Sequence, residues 1–147
     1  MKQHIIVILG ILVTVFASCS KNDEALSKVP SLTFVSLSPT TAVQYADSLT
    51  FVLGYEDGDG DLGSNDPDIK NLFITDSRNG VVYQYRVKQL APNNSTIAIK
   101  GNLSVVLDRV GLIGGGTAET ATYSIYMTDR AGNQSNTVTS SAITIQP

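Results

Sequence analysis

Between positions 56 and 68 the chain reads EDGDGDLGSNDPD, a window that holds 6 of its 13 acidic groups and no Lys or Arg. Asp57, Asp59 and Asp61 alternate there with Gly58 and Gly60. Carboxylates spaced that closely repel one another unless a cation or water screens them. Calcium takes about six to eight oxygen ligands, drawn from carboxylates, amides and carbonyls. Glycines between the acids let the backbone curl so that successive oxygens converge. The expected site is one Ca²⁺ held mainly by Asp57, Asp59 and Asp61, with Asp66, Asp68 or Asp129 helping. The run is not an EF-hand, because with Asp57 in first place Leu62 stands where that loop needs glycine. The competing reading is that Asp-Gly repeats only make turns on a solvated loop. Hydrolysis by paired carboxylates is a third possibility, but it needs groups held at a fixed separation. A glycine-rich loop gives poor positioning, and the chain is read as non-enzymatic.

Composition narrows the chemistry further. The 147 residues include one His (His4), one Cys (Cys19) and no Trp. Ser-His and Cys-His nucleophile pairs, His-ligated zinc and internal disulfides are excluded once residues 1–18 are removed as a leader. That removal takes Lys2 with it and leaves 9 basic groups against 13 acidic ones. So acidic a chain is a poor partner for nucleic acid or for anionic lipid.

The elements that must position the acidic window read as strands. Phe51, Leu53 and Tyr55 alternate with Thr50, Val52 and Gly54, and Tyr123, Ile125 and Met127 alternate with Thr122, Ser124 and Tyr126. Val81, Tyr83, Tyr85 and Val87 mark another such face, with core packing the expected role of the two tyrosines. Asn79-Gly80 between two apolar runs signals a hairpin. Seven strands are expected, near 31–38, 48–55, 69–76, 81–90, 95–100, 120–128 and 136–145. Leu103, Val106, Leu107 and Val110 also fit helical spacing, so a short helix or an eighth strand is expected there. The fold class expected is an all-β antiparallel sandwich. In such a sandwich the loops 56–68 and 129–136 share one end, and the second brings Asp129, Asn133 and Asn136.

At the other end of the sequence, Lys2 precedes the apolar run Ile5–Phe16, which at 12 residues is shorter than the roughly 20 a membrane span needs. Ala17, Ser18 and Cys19 follow. This arrangement resembles the bacterial lipoprotein signal, with Phe16 departing from the aliphatic residue usual in that lipobox. The resemblance implies cleavage after Ser18 and lipidation of Cys19 by a thioether-linked diacylglycerol, with an N-acyl chain such as palmitate. Two or more chains hold a protein stably on a bilayer. Ser20-Lys21-Asn22-Asp23-Glu24 resembles the surface-export signal of Bacteroidota lipoproteins, which implies attachment to the outer membrane and display at the cell surface.

The strand order, with Tyr123 to Asn133 (YSIYMTDRAGN) as a penultimate strand and turn, resembles bacterial immunoglobulin-like modules. The expected organisation is a leader at 1–18, a lipidated Cys and polar tether at 19–30, and a sandwich at 31–147. Asp47-Ser48-Leu49 resembles the O-glycosylation motif of Bacteroidota exported proteins. The expected function is a lipid-anchored binding or structural module of the envelope, with an envelope protein or extracellular glycan as partner. The alternative is a glycan-capturing accessory of a polysaccharide-uptake system. The absence of Trp and of a row of exposed aromatics weighs against that alternative.

Overall fold

The computed structural model describes residues 26–147. Cys19, the leader and the stretch 20–24 lie outside the described residues. Ten strands make up the ordered structure: β1 (Ser31–Ser38), β2 (Thr41–Val43), β3 (Leu49–Asp57), β4 (Leu72–Asp76), β5 (Val82–Tyr85), β6 (Ile99–Leu107), β7 (Glu119–Ala121), β8 (Tyr123–Met127), β9 (Val138–Thr139) and β10 (Ile143–Gln146). No helix occurs among the described residues. The chain is an all-β sandwich, as its alternation predicts.

One sheet has the order β1-β3-β6 and is antiparallel throughout. The other layer has β5-β4-β8-β9, also antiparallel. β7 and β10 lie next to β8 and β9 in sequence and pair with each other, and β2 adds to β10 in parallel. Leu49, Phe51 and Leu53 of β3 point inward at every second position and meet Leu72, Ile74, Tyr123, Ile125 and Met127 of the facing layer. Phe51 and Tyr123 pack edge to face at 5.2 Å. Tyr83, Tyr85 and Val87 lie partly buried against this core, as expected, whereas Val81 is exposed.

Several boundaries differ from the sequence reading. The strand expected at 95–100 and the helix or strand expected around 103–110 are one element, β6. Its partner β3 pairs with it over nine consecutive positions, from Leu49–Leu107 to Asp57–Ile99. Leu103, Val105 and Leu107 face inward by strand alternation and Val106 faces out, which outweighs the helical spacing of Leu103, Val106, Leu107 and Val110. β5 stops at Tyr85 because the Asn71 side chain takes over: its amide donates to the Val87 carbonyl and its oxygen accepts from the Val87 N–H. Segments 120–128 and 136–145 are each broken once. Buried Ser140 and Ser135 place their hydroxyls on the N–H groups of Tyr123 and Met127, doing the work of ladder bonds at the irregular positions. In the Asn79-Gly80 turn, Gly80 alone takes a positive φ, 74°.

Candidate metal centre

Asp57 occupies the last position of β3. The alternation that sends Leu49, Phe51 and Leu53 inward also sends this carboxylate inward, and it is 0% exposed. A buried carboxylate costs several kcal/mol, about 2–7 or more, unless its oxygens are matched. Only one oxygen is matched here: Asp57 Oδ2 accepts the Leu62 N–H at 3.1 Å. Its Oδ1 has no partner, and neither do the buried Oδ1 atoms of Asp59 and Asp61. One ligand oxygen from each of the three carboxylates lies within 4.8 Å of those of the other two. An ion with metal–oxygen distances near 2.4 Å bridges such a span, and the all-oxygen donor set suits a hard cation.

The glycines make this convergence possible by clearing the opposite side of the run. A Cβ on Gly60, which sits at φ +73°, would strike the Ile97 carbonyl. A Cβ on Gly58 would strike the Leu26 carbonyl, and the Gly58 N–H donates to the Ser27 carbonyl at 2.8 Å. The three carboxylates converge on one side of the run while the glycine backbones rest on other segments.

The turn at 129–136 meets this loop, as the sandwich topology predicts. Leu62 and Asp129 form an isolated antiparallel bridge. The Ala131 N–H donates to Asp61 Oδ2 at 3.0 Å and the Arg130 N–H to the Asp61 carbonyl at 3.2 Å. The Arg130 guanidinium donates to the carbonyls of Gly60, Leu62 and Gly63 at 3.4, 3.3 and 3.0 Å. The ion pairs among the described residues are those of Arg78 with Asp76 and Glu119, so no ion pair neutralises the three carboxylates. Burial is the main cause pushing the carboxyls of Asp57 and Asp61 above the usual aspartate range, and Asp59 and Asp129 add repulsion at both.

Of the six aspartates expected at the site, the structure brings together Asp57, Asp59 and Asp61. Asp129 is buried beside them but spends its oxygens on its own turn, accepting from the Asn133 N–H at 2.7 Å and the Asn133 amide at 2.8 Å. Asp66 and Asp68 are exposed and outside the group. Asp66 Oδ1 accepts the Asp68 N–H at 2.9 Å, a local turn that points this part of the loop to solvent. Asn136 holds both the N–H and the carbonyl of Leu32 through its side-chain amide, joining β1 to the facing layer. Sequence reasoning missed Arg130. Its position next to Asp129, in the turn expected to meet the acidic loop, was the available signal.

Two other surfaces bear on glycan capture. Phe73 and Tyr126 stack at 4.8 Å with nearly parallel rings, so each spends one ring face on the other. A groove of about 520 Å³ on the sheet β1-β3-β6 has Gly54 among its lining residues, with Thr33, Asn102, Glu56 and Lys100. Comparison of the chain with protein-family models, curated proteins and solved structures gave no match.

Proposed function

We propose that this protein is a lipid-anchored, non-enzymatic binding or structural module of the cell envelope whose sandwich is stiffened at one end by Ca²⁺. The observation that carries the metal reading is the buried, half-matched carboxylate of Asp57 converging with Asp59 and Asp61. The resemblance of residues 1–19 to a lipoprotein signal supports the anchor at Cys19, and with it the outer membrane and cell surface. The partner proposed is an envelope protein or an extracellular glycan.

Three carboxylates supply the charge that calcium needs, and backbone carbonyls and water fill the remaining positions. The ion neutralises repulsion that otherwise opposes folding of the loop. It also joins the end of β3 to residues that hold the 129–136 turn through Ala131 and Arg130. Binding to the folded state alone raises stability by about 2.7 kcal/mol at one hundred times Kd. For a domain of this size that is a rise in Tm of about 10 °C. The test is thermal unfolding of the full chain in detergent, in EDTA and through a CaCl₂ titration. A saturable rise that Asp59→Asn abolishes is expected. A flat titration up to millimolar CaCl₂ would sink the metal reading.

A further inference from the structure

We infer that occupancy of the Asp57–Asp59–Asp61 site decides whether the N-terminal segment 26–29 stays docked on the sandwich, an inference that rests on the metal reading above. Gly58 is shared by the acidic run and the contact with the N-terminal segment. It lies between the first two carboxylates, so the peptide units that aim Asp57 and Asp59 inward are also those that meet the N-terminal segment. The contact is close: the Gly58 N–H donates to the Ser27 carbonyl at 2.8 Å, and the Leu26 carbonyl leaves no room for a Cβ on Gly58.

Among the described residues little else holds this segment, in which Leu26 is half-buried. Ser27, Lys28 and Val29 are exposed, and the hydrogen bond from the Val29 N–H to Ser27 Oγ is internal to the segment. Pro30 is buried and begins the part fixed by β1. A segment attached to the rest of the described residues through one backbone hydrogen bond sits at the low-stability end of any fold and opens without unfolding the rest. With the ion present, the three carboxylates are drawn together and Gly58 is held where Ser27 meets it. With the ion removed, their repulsion spreads the 57–61 run and takes the acceptor's partner away. Among the described residues, the first one held on the domain then moves from Leu26 to Pro30. Four freed residues add up to about 13 Å of reach.

Limited trypsin digestion of the full chain in detergent tests this, read as the rate of cleavage after Lys28. Cleavage after Arg109, exposed at the opposite end, is the internal control. Calcium at millimolar concentration is expected to slow cleavage after Lys28 about tenfold, since cleavage follows the open population when closing is fast, and to leave Arg109 unchanged. Asp59→Asn is expected to make cleavage after Lys28 insensitive to calcium, at a rate no faster than that of the wild-type chain in EDTA, because one of the repelling charges is gone. Gly58→Ala, which displaces the segment but keeps the carboxylates, is expected to retain a calcium-dependent rise in Tm and to cleave fast with calcium present. A rise in Tm without any change after Lys28, or with equal slowing at Arg109, overturns the inference and leaves the metal reading standing. No rise in Tm overturns both.

Discussion

Asp57 is the residue on which most depends. It is a charged side chain at a position that strand alternation assigns to the core. Its raised pKa, like that of Asp61, has a definite consequence for stability. The folded chain binds more protons than the unfolded one between the ordinary aspartate value of 3.8 and the raised one. In EDTA these two groups therefore make stability fall as pH rises through that window. The ion needs both groups ionised, so the calcium increment grows over the same window. Asp57→Asn keeps an oxygen to accept the Leu62 N–H while removing the buried charge. It is expected to raise stability in EDTA by on the order of 1 kcal/mol, to flatten the pH slope, and to abolish the response to calcium. Urea unfolding across pH 4–7 reads all three, and a variant less stable in EDTA at neutral pH would contradict this account. The sequence pointed to Asp57, Asp59 and Asp61 because spacing alone places them close together. It ranks Asp66 and Asp68 only as helpers and has no means to exclude them, because they have the same chemistry. The difference is distance from β3: Asp59 and Asp61 follow its last residue, Asp57, closely, whereas Asp66 and Asp68 lie in the exposed turn beyond Leu62.

Among elements, strands with strict alternation were legible and those without it were not. β3 and β8 bury one face and leave the other mostly half-buried, and the alternation places both to within a few residues. β2 is three residues long with Ala42 as its one buried side chain, which leaves no period to read. The sequence divides β6 wrongly because Leu103, Val106, Leu107 and Val110 fit a helical period while Leu103, Val105 and Leu107 fit a strand period, and only pairing with β3 chooses between them. At the end away from the three aspartates, one residue joins elements that the sequence treats as separate. Arg78, in the turn after β4, donates to buried Asp76 at 2.7 Å, to the Gly111 carbonyl and to Glu119 of β7. Glu119 in turn holds the N–H groups of Ile113 and Gly114, and these contacts, led by the two N–H groups, draw its carboxyl below the usual glutamate range. Arg78→Met leaves the Asp76 charge buried and uncompensated, an expected loss of about 3–5 kcal/mol. The rise in Tm with calcium should persist undiminished, because the two clusters sit at opposite ends of the sheets. A calcium response lost together with that stability would show the two ends to be one cooperative device.

The whole molecule has its N-terminal segment at the metal end, while β10 carries Pro147 toward the other. Between them lies the parallel pair β2–β10, held where the Thr144 N–H meets the Thr40 carbonyl and the Gln44 N–H meets the Gln146 carbonyl. Tension applied between Leu26 and Pro147 pulls β2 back toward the metal end and β10 away from it. The two strands slide past each other along their length, so their bonds bear the load together instead of opening one by one. Under the proposed anchor, a pull by a distant partner would load the domain in shear, the stronger direction for a ladder. In single-molecule extension, Gln44→Pro, which deletes one of these donors, should lower the peak unfolding force, and an unchanged peak would place the resistance elsewhere. The short pair that completes the sheet edge is then also the part that resists a sustained pull.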